Sequence, residues 1–341
     1  MHKMFYLFAH VFALSGLLLA AGCSRPEVIT QQAVVVGSET GTVRVAASFA
    51  DDLSKSASSI QKTLTDVIST LDPANEDSEL SKLNRVGDSI RLPVSRTVFR
   101  AIDLARHYNE LTGGAFDITT GAMTLMWKSG IPDEAMRLEA LSRSGQRFLE
   151  VSETGGVALT TPGVVIEPGR FAHAYAIDSA MVERRKNADG PCLLIWSDMA
   201  RRDGFFPPDE SPVVSLVANR VIGNVSLARH SSFVVVRNKT GINYDPILEP
   251  STGHPATGAS LVAVIGPLTV KSYALARALV ILGREHGAEI LGAFPGYEAL
   301  LLPGDESTTV WMTPGFDGAF TADPSFTARP ETWLPDEIDT P

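Results

Sequence analysis

The sequence predicts an α+β fold, one domain with mixed or antiparallel sheets and packed helices. Three observations lead there. Strand patterns outnumber long helical ones, strands and crossover helices show no regular alternation, and no internal repeat recurs along the 341 residues. The formal net charge of -10 is spread without a basic patch, which speaks against a nucleic-acid partner.

Residues 1–22 read as a lipoprotein signal peptide. His2 and Lys3 precede an apolar run from Met4 to Ala21, which ends in small residues and Cys23. This resembles a bacterial lipoprotein signal, in which cleavage leaves Cys23 at the N-terminus carrying acyl chains such as palmitate. The run also approaches the length of an uncleaved membrane span. One of only two cysteines directly follows the run, and the lipoprotein reading explains this. Two or more acyl chains anchor a protein stably to the envelope membrane. Ser24 in place of Asp is compatible, in Gram-negative bacteria, with the periplasmic face of the outer membrane. With Cys23 acylated, Cys192 has no partner, so no disulfide is expected. Its run CLLIW makes it a buried structural thiol.

Residues 23–33 form a lipidated tether, 34–320 the domain and 321–341 a polar C-terminal tail. The domain opens with apolar runs at Ala33–Val36 and Val43–Ala46 around a turn, a hairpin pattern. Ile60, Leu64, Val67, Ile68 and Leu71 mark an amphipathic helix that Pro73 must stop. The polar stretch from Asp72 passes into a short helix. Val98, Ile102, Ala105 and Tyr108 mark another, ending near Gly113-Gly114. Strands are expected at 191–196, 212–218, 232–237, 260–265, 299–302 and 308–312, and an Ala/Leu-rich helix at Ser272–Leu282.

Between these lies Val164–Arg184. A β-branched run meets Pro168-Gly169, and from Phe171 the spacing turns helical, with Ile177, Ala180, Met181 and Arg184 three and four apart. A strand is therefore expected to enter a tight turn and leave as a helix, with His173 and Tyr175 in its first turn. Helix N-termini present free N–H groups, so a phosphate-bearing ligand could sit here; a plain connection is the simpler reading.

Several segments together resemble the ApbE family, the FAD:protein FMN transferases of bacterial envelopes, over about residues 38–320. They are Thr40-Gly41-Thr42; Asp77 to Asn84; Gly114-Ala115-Phe116-Asp117-Ile118-Thr119 with Trp127; Gly241 and Tyr244 before Pro250-Ser251-Thr252-Gly253-His254-Pro255; and Ala274 to Gly283. The resemblance implies an ApbE-like domain that binds FAD. It also implies use of Mg²⁺ at the pyrophosphate and transfer of FMN to a threonine of an envelope protein partner. Such chemistry needs positive charge where negative charge develops.

This chain departs from the pattern at several points. The GGIAKGYAVD segment corresponds to Gly169–Asp178, with His173 in place of lysine and Arg170 and Ala174 in place of glycines. The GGD-like turn is Ser197-Asp198-Met199, and the histidine and aspartate of HxxDP are Pro246 and Glu249. The metal-ligating aspartate and threonine of the ADALAT-like helix are Tyr273 and Arg277. Arginine cannot ligate a cation, but its fork can bind phosphate directly. Metal-independent binding follows, unless Tyr273 and Arg277 are only a surface pair.

The resemblance carries cofactor-binding roles to Thr40, Glu79, Asp117, Thr119, His173, Tyr175 and Arg277. No catalytic residue is assigned. Asp117 and Thr119 equally suit a structural turn, and Glu79 and Asn84 could tie down a loop. Asp178 reads as architectural, His254 as a turn residue, and Trp196 as core or rim. Asp198 and Glu249 are the carboxylates able to rebuild a metal site. Three functions stay open. The first is a divergent lipoprotein without standard Mg²⁺-dependent transfer that binds FAD, FMN or another phosphate-bearing ligand. The others are an active FAD:protein FMN transferase and a non-catalytic scaffold.

Overall fold

The strand expected at 191–196 forms as Cys192–Trp196, inside a nine-stranded sheet whose spatial order follows the chain. The computed structural model describes residues 30–86, 90–152, 155–238, 246–304 and 306–333. Its large sheet runs Thr30–Val36, Glu39–Val45, Cys192–Trp196, Met199–Asp203, Ser232–Arg237, Leu261–Gly266, Glu298–Leu302, Thr309–Met312, Thr327–Pro330. Neighbours are antiparallel except the last pair. The α+β class is the one observed.

Alternation along the strands explains the layers. Leu194, Val234, Val236, Val262, Val264 and Leu301 face one core, which is covered by the helices Leu53–Leu71, Arg170–Asn187 and Thr269–Leu291. The intervening Leu193, Phe233, Val235, Leu261, Ala263 and Leu300 face a second core. A three-stranded sheet of Phe320–Ala322, Val221–Ser226 and Val213–Val217 closes it with Leu216, Ile222 and Val225. A central sheet buried on both sides reads as continuous apolar runs, as these strands do. Another small sheet pairs Gly156–Leu159 with Leu92–Pro93 and Leu149–Val151.

Several boundaries differ from expectation. The hairpin turns tightly at Gly37-Ser38, so the strand starts at Glu39. The helix expected at Ser272–Leu282 spans Thr269–Leu291 and kinks at Gly283, whose φ is 68°. Gly258 backs onto this kink: a Cβ there would lie 2.5 Å from the Gly283 nitrogen and the Ile281 oxygen. The strand expected at Val164–Ile166 does not form, and the run joins no sheet. The expected polar tail from 321 runs on into the large sheet through Thr327–Pro330, and Trp333 is buried. Helices Gly121–Lys128 and Glu134–Ser142 were not anticipated, being only eight and nine residues long. The signal peptide with Cys23, most of the tether, Gly241, Tyr244 and residues 334–341 lie outside the described residues. Among the described residues, no helix is long and apolar enough to cross a membrane.

Candidate functional site

The segment before the Arg170–Asn187 helix is held by side chains and loops in place of a strand ladder. The Ile166 N–H donates to Asn84 Oδ1 at 2.9 Å, and Asn84 Nδ2 donates to the Ile166 carbonyl at 2.9 Å. Alongside, the Glu167 N–H donates to the Ile118 carbonyl and the Gly121 N–H to the Val165 carbonyl. The segment is thereby laid against residues 118–121. Gly169 then turns the chain with φ 50° and ψ -132°, a conformation that favours glycine. The helix begins at Arg170.

Asp117 accepts from the Thr119 N–H at 2.7 Å, the Thr119 hydroxyl at 2.5 Å and the Gln146 N–H at 3.2 Å. Burial nevertheless pushes its carboxyl above the ordinary range, and those hydrogen bonds only partly oppose the effect. Asp178 is architectural: its oxygens accept from the Thr269 and Val270 N–H groups and so cap the long helix. Arg201 stands 3.8 Å away, outside hydrogen-bond reach, and burial raises the Asp178 pKa.

Residues from these elements line one open cavity of about 790 Å³. Asp117, Ile118, Thr124 and Lys128 come from one side, Glu167 to Arg170 and His173 from the helix start, Asp198 and Arg237 from strand ends, and Tyr273 and Arg277 from the long helix. His173 stacks on buried Trp196, with ring centroids 4.8 Å apart, and lies 3.7 Å from Glu39. Burial holds its pKa below 6.5 against the pull of Glu39, so the imidazole is neutral at pH 7.

The side chains that could have filled this space pack behind it or along its wall. Phe171 is fully buried against Phe116, centroids 5.1 Å apart, and Arg170 turns to Ser197 at 2.5 Å. Tyr273 meets Phe116 edge-on at the wall.

Of the seven positions to which the resemblance carries a cofactor-binding role, Asp117, His173 and Arg277 border the cavity. Thr40 is exposed on its strand beside Glu39, and Thr119 is buried, its hydroxyl accepting from the Gly145 N–H. Glu79 accepts from the Ser95 N–H at 2.5 Å. Tyr175 follows His173 by two residues, about 200° around a helix, and packs, partly buried, against the core. Asp198 pairs with Arg237 at 2.5 Å, while Glu249 accepts from Ser251 and Thr252 within its own turn. Asp198 lines the cavity, and Glu249 is not among its lining residues. Trp127 Nε1 donates to the Gly253 carbonyl at 3.0 Å and fastens the Pro250–Pro255 turn to the Gly121–Lys128 helix. Glu39, Asp72, Lys128, Glu167 and Arg237 also line the cavity but carry no motif signal. Lys128 had one clue, its place next to Trp127.

A family model described as the ApbE family matches residues 39–301. The chain belongs to the ApbE family. It is 27% identical over 265 residues to an FAD:protein FMN transferase of Treponema pallidum, covering 67% of this chain and 71% of that protein. One from Vibrio cholerae is 24% identical over 300 residues, covering 82% and 90%. The ApbE fold is shared with the flavin transferase ApbE from Vibrio cholerae, at TM-score 0.75 and 18% identity over 85% of this chain and 99% of that one. It is shared also with the apo flavinyl transferase ApbE of Pseudomonas stutzeri, at TM-score 0.74 and 18% identity over 86% and 98%.

The ApbE resemblance assigns Mg²⁺ ligation to positions that here hold Tyr273 and Arg277. Tyr273 is buried at the wall, and Arg277 offers only donors. Among the described residues, no group of three or more His, Cys, Asp or Glu could hold a metal ion. Mg²⁺ requires an octahedral set of oxygens, and these residues do not fit it. Ser197, at the GGD-like turn, has a positive φ of 56° although it is not glycine.

Proposed function

We propose that this cavity is a flavin-nucleotide site, taking FAD or FMN. The observation that carries this reading is an open cavity of about 790 Å³, within the size range of small-molecule sites, bounded by the family's own segments. The relatives, FAD:protein FMN transferases, favour transfer of FMN from FAD to a protein. In that reaction a threonine oxygen of an envelope protein bonds to the phosphorus of the FMN half. The pyrophosphate P–O bond breaks, AMP leaves, and the hydroxyl proton passes to a base. Family membership supports this reading over a closed scaffold.

A second reading, flavin binding without the standard Mg²⁺-dependent transfer, is favoured by one observation. Tyr273 and Arg277 stand where the motif resemblance implies the family's metal ligands. Titrating the full chain, in detergent, with FAD and following flavin fluorescence tests the shared part. Saturable binding is expected, and its absence would sink both readings. Incubating the complex with threonine-bearing acceptor peptides separates them, because transfer adds the mass of FMN to the peptide.

Acylation at Cys23 and anchoring on the periplasmic face of the outer membrane belong to the same proposal, supported by the sequence pattern alone. Mass spectrometry of the mature N-terminal peptide tests it: an unmodified Cys23 would overturn it.

A further inference from the structure

The carboxylates around the cavity are each engaged, while two of its cations are not. Asp117 accepts three hydrogen bonds, and Asp198 is paired with Arg237. Glu39 faces Arg170 and His173, and Asp72 accepts from the Ala74 N–H. Glu167 also has a partner. Arg277 and Lys128, by contrast, have no hydrogen-bond or ion-pair partner among the described residues, yet both line the cavity. Arg277 is half-buried and projects from the long helix one turn after Tyr273, whereas Lys128 stands exposed at the rim.

The half-buried Arg277 guanidinium carries five donors and no acceptor, and no protein group among the described residues takes them. An anion that can take its planar fork satisfies it, and a phosphate oxygen pair matches the fork's geometry. A second cation at the mouth adds attraction without demanding a fixed geometry. We propose that the cavity binds the phosphates of its ligand directly through Arg277, with Lys128 at the entrance, and that no divalent cation takes part. The inference rests on the flavin-nucleotide reading for the identity of the ligand but not for the anion chemistry. The bound group is a diphosphate, either the pyrophosphate of a dinucleotide or free pyrophosphate.

Isothermal titration calorimetry on the full, detergent-solubilised chain tests this with FAD, riboflavin and inorganic pyrophosphate, each in EDTA and then in Mg²⁺. The expected result is FAD affinity equal within about twofold in the two buffers, with riboflavin much weaker. Arg277→Ala should weaken FAD at least about tenfold, Arg277→Lys by less, and Lys128→Ala modestly, the last effect shrinking as salt rises. Because Arg277 makes no hydrogen bond or ion pair among the described residues, Arg277→Ala should melt with the wild type, so loss of binding is not loss of fold. FAD binding abolished by EDTA would overturn the inference while leaving the flavin reading intact. Pyrophosphate bound through Arg277 without FAD binding would leave the inference standing and sink the flavin reading. Binding of neither would overturn both.

Discussion

Asn84 and Ile166 exchange two hydrogen bonds, each 2.9 Å long, across 82 positions of sequence. A primary amide here does what a neighbouring strand would otherwise do: it supplies one donor and one acceptor to a backbone that belongs to no sheet. The segment so fixed leads directly to Gly169 and the cavity-lining helix start.

Asn84→Ala leaves both Ile166 groups without that partner, so a loss of about 1–3 kcal/mol is expected. Urea denaturation checks this: the midpoint should fall with little change in slope. FAD affinity should fall as well, since the adjoining residues 167–170 border the cavity. An unchanged midpoint would show that the pair contributes nothing.

Gly169→Ala isolates backbone strain. A Cβ at Gly169 would meet nothing within 4 Å, so its cost is the positive φ alone, about 1–3 kcal/mol. At Gly258 the order of causes reverses. No positive φ is required, but the added methyl collides with the kink at Gly283. Gly258→Ala should therefore destabilise more than Gly169→Ala in thermal melts. The opposite ranking would mean that the kink yields easily.

His173 sets a pH dependence whose sign follows from its surroundings. Burial lowers its pKa, Arg170 adds to that, and Glu39, the Gly169 backbone and Asp72 pull the other way, with a net downward shift from 6.5. The unfolded chain therefore binds more protons at this site as pH falls. The contribution is fully present above the unfolded pKa and is lost as pH drops through the folded value. Between about pH 7.5 and about pH 5.5 the wild type should lose more melting temperature than His173→Gln. Parallel profiles would remove His173 as the cause.

Cys192 is buried, and burial pushes its thiol up to about 12. Iodoacetamide near neutral pH should leave it unmodified in the native protein and label it after unfolding in guanidinium. Peptide mapping distinguishes it from Cys23, which should stay unlabelled in both conditions if acylated. Rapid native labelling of Cys192 would contradict its burial in the sheet.

Much of the fold was legible in the sequence because it is encoded locally. The runs at 191–196, 232–237 and 260–265 form strands because alternate side chains must enter two cores. The first long helix stops at Leu71 because Pro73 cannot continue it. Short-range spacing could also have warned that Tyr175 and His173 face apart. The Val164–Ile166 run misled, because β-branched residues favour extended backbone without specifying a ladder partner; Asn84 supplied that partner.

The sequence alone determined the strand and helix periods, the glycine that turns the chain at 169, and the ApbE motif order, since these depend on backbone sterics and residue identity. Only the tertiary structure decided which charges are neutralised. Asp198 meets Arg237, Asp178 meets the N-terminus of a helix 91 positions away, and Arg277 meets no hydrogen-bond or ion-pair partner among the described residues. Charge pairing depends on distances set by how remote segments pack across the sheet, and neither spacing nor composition contains those distances.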